Sequence, residues 1–280
     1  MNRMITCLVI CLASFQLFSQ EHLPHATDYK HFYTTKTLVV LEDNPFCEYN
    51  YKIKEAVEEN WKATAYEFIS IDEFQKKKHE RNYSFLVTST VTFNKDKTNA
   101  QYHFLSLVLG GPAEEIGNMP DLCSIPLSYV NVDEATYIYK LSSIVEFMQN
   151  HIALVNKNPE IITENILKYY NKNSAETKYK TLYLLKDELS SEINTLAKIS
   201  KVYSGKVKLV TADEIEEAIR NKNSQVIFLH KVGPEHTKSK ARCFKILIGA
   251  SDAKFYYFDF HMVKGNEADG FLKSDFKKID

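Results

Sequence analysis

Short apolar runs and amphipathic stretches alternate along this chain, and they do so twice in the same order. KTLVVLED at 36–43 matches KTLYLLKD at 180–187, an offset of 144, and ISIDEF at 69–74 matches VTADEI at 210–215, an offset of 141. The second offset continues through Asn82 and Asn223 into the runs Phe85-Leu86-Val87 and Val226-Ile227-Phe228. Three landmarks in one order identify a duplicated module, which fixes the architecture of both halves at once.

The runs at 37–42 and 181–186 are uninterrupted and of strand length, as in strands buried on both faces of a parallel sheet. After the first, Tyr49, Ile53, Ala56, Val57 and Trp61 recur at helical spacing, with Asn44 as the expected N-cap and Pro45 as the first helical residue. After the second, Ile193, Leu196 and Ala197 form a thinner stripe that ends near Gly205. Second strands at 65–69 and 206–210 lead into helices announced by the same capping box, Ser70 with Glu73 and Thr211 with Glu214. Third strands are expected at 83–92 and 225–231, fourth at 101–109 and 241–249, fifth at 125–132 and 254–263, with polar hairpin loops at 94–99 and 233–239. Closing helices follow at 134–154 and 267–278.

The pattern therefore predicts an α/β protein of two tandem similar domains. Each is a mixed sheet with a β-α-β-α-β core, antiparallel strands added at one edge and a closing helix, and right-handed crossovers make its first three strands parallel. Repeat unit 1 covers 36–155 and repeat unit 2 covers 180–280; a helix and linker at 156–179 join them, and an N-terminal tail at 21–35 precedes them. This order, over 37–109 and 181–249, resembles the small α/β module of the amino-terminal domain of the TolB periplasmic protein and of the curli-secretion lipoprotein CsgG. It is similar also to a type of secreted protein from Gram-negative bacteria. The resemblance rests on strand and helix order and on no catalytic motif, so it carries over no functional residue. It implies an envelope or secreted protein that binds or assembles.

Residues 1–20 place Arg3 before an apolar run at 4–18 that turns polar at Ser19 and Gln20, the layout of a secretory signal peptide. That run of about 15 residues falls short of the ~20 that a spanning helix needs, and no later segment approaches that length. The expected product is periplasmic or secreted, cleaved near residue 19 or 20, with no transmembrane segment in the mature chain. Lys+Arg number 35 against Asp+Glu 36, a balance with no field to concentrate nucleic acid. Of five cysteines, Cys7 and Cys11 lie in the signal, leaving Cys47, Cys123 and Cys243, which allow one disulfide at most and read more simply as buried thiols.

Parallel sheets bind ligands beyond the carboxyl ends of their strands. The residues there are Asp43, Asn44 and Ser70 in unit 1 and Asp187 and Thr211 in unit 2, with His230 near the end of a third strand. The same residue types cap helices and close turns without any ligand. His22, His25 and His31 lack a fourth ligand at a recognisable spacing, so no metal is assigned, and the segment reads as a flexible tail. Glycine-rich phosphate loops and the G-x-S-x-G elbow are missing from the sequence, so no cofactor and no catalytic residue is assigned. The aromatic strand that begins at Phe255 is expected to alternate, with Tyr256, Phe258, Phe260 and Met262 facing the core and Phe255, Tyr257, Asp259 and His261 beneath the last helix. These features favour an exported, non-catalytic binding or assembly protein with an envelope protein as possible partner. The competing reading is a hydrolase or other enzyme whose site lies in the groove between the units and uses Asp43, Asp187 or His230.

Overall fold

A computed structural model describes residues 24–163, 165–235, 239–264 and 267–280. The signal segment and His22 lie outside the described residues, as does part of the 233–239 loop. The first half forms a sheet from β1 (Lys36–Val40), β2 (Tyr66–Ile69), β3 (Tyr83–Thr92), β4 (Gln101–Leu109) and β5 (Asp121–Tyr129), in the order β2-β1-β3-β4-β5. The second half forms one from β6 (Thr181–Leu184), β7 (Lys206–Leu209), β8 (Val226–Val232), β9 (Ala241–Gly249) and β10 (Phe255–Val263). Its order, β10-β9-β8-β6-β7, is the same permutation read from the other edge. In each sheet the first strand is parallel to its two neighbours and the last two strands join antiparallel. The two halves thus share one α/β topology.

The helices are α1 (Ala26–Phe32), α2 (Glu48–Asn60), α3 (Ile71–Lys77), α4 (Leu141–Lys157), α5 (Ile166–Asn171), α6 (Leu196–Ile199), α7 (Ala212–Arg220) and α8 (Lys273–Ile279). Both capping boxes form: Glu73 N–H donates to Ser70 Oγ at 3.2 Å, and Glu214 N–H to Thr211 Oγ1 at 3.3 Å, each reciprocated by the glutamate side chain. The expected cap at Asn44 does not. Its side chain accepts the Phe46 N–H at 3.1 Å to close a turn, and Asn50 reaches back to the Asn44 and Glu42 carbonyls, so α2 starts at Glu48. Residues 26–32, within the segment read as a tail, form α1, whose Tyr29 and Phe32 are buried; the Phe32 ring meets Trp61 edge-on at 6.2 Å.

The core explains how the halves fit together. Ile53 and Val57 of α2 and Ile144 and Met148 of α4 pack with Val39, Leu86 and Leu107 on one face of the first sheet. Ile215 and Ile219 of α7 belong to the same core and cover Phe228, Ile246 and Ile248 of the second sheet. Outside these, Phe74 of α3 packs on Leu38, Val40 and Phe85, while Ile199 of α6 and Phe276 of α8 pack with Leu182, Leu184 and Ile227. The molecule is therefore five alternating layers of helix and sheet with a shared middle layer of α2, α4 and α7. In the first half the helix of the first crossover lies in that layer; in the second half it is the helix of the second crossover. The copies stack front to back.

This corrects the offset of the first strand. Matched by the helix each face carries and by their ladder partners, Val39 with Leu86 and Leu182 with Ile227, the equivalent of Val39 is Leu182 rather than Tyr183. A continuous apolar run has no alternation to fix its phase, and a slip of one residue exchanges the two faces of a strand. The aromatic strand departs in a related way. The register of β10 shifts between Phe255 and Tyr257, so Phe255 joins the middle layer and Tyr256 turns to the outer core with Tyr257.

Specific contacts lock the stack. Phe147 of α4 lies flat on Phe255 of β10, with centroids 3.4 Å apart and planes within 2°. Lys140, fully buried, binds Glu188 at 2.9 Å, and Arg242 makes a two-pronged pair with Asp96 at 2.6 and 2.8 Å. Asn171 and Asn173 in the linker bond the backbone of β10 at Phe258 and Phe255, so the connection is docked along that strand. We expect Phe147→Ala to lower stability by about 3–5 kcal/mol, because both halves lose the same contact. Denaturant unfolding followed by Trp61 fluorescence, which reports the first half, and by far-ultraviolet circular dichroism should stay coincident in the variant. Separated transitions would show that the halves do not depend on a common core.

Candidate functional site

The expected positions at the strand ends are occupied by structural work. Asp43 and Asp187 are exposed, the latter in a 3-10 turn at Lys186–Glu188. Asn44 closes its turn, and Ser70 and Thr211 are the caps of α3 and α7. His230 is fully buried, with Nε2 2.8 Å from the carbonyl of Pro126 on β5. Burial lowers its pKa to about 3, with nearby Lys140 acting in the same direction and the Pro126 carbonyl against it, so the ring is neutral. No hydrogen bond joins any two of these six residues among the described residues. Beyond the strands of the second half, the Lys140–Glu188 pair fills the space from within.

A different place is hollow. Beside α4, where β5, β10, α1 and the linker meet, lies a cavity of about 290 Å³. Its walls are apolar: Phe147 and Val155 of α4, Leu122 and Ile125 of β5, Ile161, Ile162 and Ile166 of the linker, and Phe255 and Phe258 of β10. The polar residues of its lining besides His151 are Tyr29, Asp121, Cys123, Ser124 and Tyr170, and no lysine or arginine lines it.

The polar groups are held in definite states. His151 Nδ1 and the Tyr170 hydroxyl are 2.7 Å apart, and the imidazole stacks on Phe147 with centroids 5.9 Å apart. Nε2 of His151 makes no hydrogen bond among the described residues. Burial lowers the His151 pKa to about 4 and raises the Tyr29 and Tyr170 hydroxyls, while burial and then Asp121 push the Cys123 thiol well above its usual value. The Tyr29 hydroxyl donates to the Leu122 carbonyl at 3.1 Å. At neutral pH these four side chains are uncharged, and at the rim burial raises the Asp121 carboxyl above its usual range, with the Ser124 side chain and the Cys123 backbone acting against it. The thiolate is unpopulated, so the arrangement offers hydrogen bonds to an apolar occupant rather than a nucleophile. Cys47, Cys123 and Cys243 are all free thiols.

In the sequence His151 shares the apolar face of the closing helix with Ile144, Phe147, Met148 and Val155, where a histidine reads as ordinary core. Its partner Tyr170 belongs to a stretch that looks like a connector. Among the described residues no group of three His, Cys, Asp or Glu side chains could hold a metal, and no helix is long and apolar enough to cross a membrane. No family model, curated protein or solved structure matches this chain.

The buried imidazole makes stability depend on pH with a fixed sign. Unfolded histidine takes a proton near pH 6.5 and native His151 only near 4, so its contribution is complete above 6.5 and is lost as pH falls towards 4. That difference corresponds to roughly 3 kcal/mol. Replacing His151 with phenylalanine removes the titration and keeps a ring against Phe147. Between pH 7 and 4, urea midpoints should therefore fall more steeply for the wild type than for the variant; parallel curves would contradict the buried neutral ring.

Proposed function

We propose that this chain is an exported, non-catalytic binding or assembly protein of the periplasm or cell envelope, in which the cavity beside α4 receives the ligand. The observation that carries the reading is the state of the cavity's side chains. Apolar walls and neutral donors and acceptors, with one carboxyl at the rim, gathered from both halves and the linker, suit capture of a molecule better than its transformation. The cavity also lies at the junction of the two repeats, so an occupant touches the contact that joins them and is placed to tighten or loosen it. The export half of the reading is supported by the signal layout of residues 1–20, and the likeness of the repeat to the TolB and CsgG modules belongs to the same proposal.

Two measurements test it. Protein isolated from the envelope fraction should have a mass that begins after residue 19 or 20, and native mass spectrometry under gentle conditions should show a bound small molecule or protein. An intact amino terminus in the cytoplasm would end the export claim. A substrate turned over by the wild type and not by His151→Phe would replace binding with catalysis.

A further inference from the structure

The cavity's dimensions and polarity narrow what it accepts, an inference that rests on the binding reading above. We propose that the occupant is a small uncharged molecule of about twelve non-hydrogen atoms, with a flat apolar body and one hydroxyl seated at His151 and Tyr170.

Size comes first. A dry apolar cavity of about 150 Å³ holds benzene, and this one is about twice as large, which suits a two-ring body. Shape follows from the walls. Phe147 and Phe255 are stacked on one another and form one aromatic wall, and Phe258, Tyr29 and Tyr170 add aromatic surface, against which a flat molecule makes edge or offset contacts.

The polar end is set by the His151–Tyr170 pair. Whichever nitrogen carries the imidazole proton, one partner in the pair is already satisfied and Nε2 is left as either a donor or an acceptor. A hydroxyl can accept from the one tautomer or donate to the other. A carboxylate can only accept, and here it would meet Asp121 at the rim with no lysine or arginine in the lining to offset its charge. An unsubstituted hydrocarbon would fit the walls and leave the imidazole nitrogen unpaired.

Isothermal titration of the purified protein with naphthalene, 2-naphthol and 2-naphthoate separates these cases, since all three share one body and differ at one group. We expect 2-naphthol, neutral at pH 7, to bind with a Kd of about 10–100 µM. Naphthalene should bind about tenfold more weakly, and 2-naphthoate more weakly still. His151→Phe should bring 2-naphthol down to the level of naphthalene, a loss of about tenfold, with naphthalene itself unchanged. Ile162→Trp, at a half-buried wall position, should fill the space and abolish binding of both.

Equal or tighter binding of 2-naphthoate, or equal binding of naphthalene and 2-naphthol, would overturn the proposed class and leave the cavity as a binding site. Binding that survives Ile162→Trp would overturn it by placing the molecule elsewhere. No binding of any of the three would remove both this proposal and the reading it rests on. Should His151→Phe fail to fold, the ranking of the three molecules on the wild-type protein still decides.

Discussion

The structure depends on the burial of α4 between two sheets. Nine of its residues, from Leu141 to Val155, are buried, and they point in more than one direction: Ile144 and Met148 share a core with α2 and the first sheet, and Phe147 lies against Phe255 of the second. A helix apolar over so much of its circumference cannot sit on a surface. It needs a layer on each side, and the second copy of the module supplies the missing one. The exposed apolar face that the second sheet would otherwise present, Phe228, Ile246 and Ile248, is covered by the same arrangement. Neither half completes its core alone.

Front-to-back stacking raises the question of why the stack stops. An interface between unlike faces does not close on itself, and in principle another copy could be added. The outer face of the first sheet answers with chemistry. Ser89 and Ser124 both bond the hydroxyl of Ser106, at 3.2 and 2.7 Å, on the face whose counterpart in the second sheet carries Ile246, Ile248 and Phe258. Hydroxyls already satisfied by one another interrupt the apolar surface that a further layer would need, as polar outer faces do in the terminal repeats of stacked proteins. At the other end, α6 and α8 cover the outer core of the second sheet. Identical topology is thus finished differently on each outward side.

Strand order was legible in the chain because it follows from local signals repeated twice. The capping boxes at Ser70 and Thr211 work through atoms three residues apart, and the hairpins between third and fourth strands are bounded by polar turns. What was illegible was decided at long range. The phase of the first strand is set by which helix lies over it, and nothing within KTLVVLED records that. Asn44 could cap a helix or close a turn, and the choice fell to Asn50, whose side chain bridges the two carbonyls that a longer helix would have displaced. Helix α1 escaped notice because seven residues form no periodic stripe; Tyr29 and Phe32 are ordered by Leu122 and Trp61, which are remote in sequence. The cavity was hidden for the same reason, since its polar pair joins a helix to a linker.

The cavity itself argues against a purely structural junction. About 290 Å³ of space with apolar walls is left unpacked at the junction, open to solvent at the Asp121 rim. One larger side chain at Val155 or Ile162 would reclaim much of it, and the surrounding walls, built from a helix, a linker and two strand edges, are free to vary separately. Instead the space carries a buried neutral histidine and a tyrosine placed to orient it. Unpacked apolar walls and an imidazole Nε2 with no hydrogen-bond partner among the described residues are two unmet contacts at one spot in the junction that both halves need. An occupant that fills the first and pairs with the second relieves both together, and this joint relief is the physical reason for placing the ligand at the junction rather than at the strand ends.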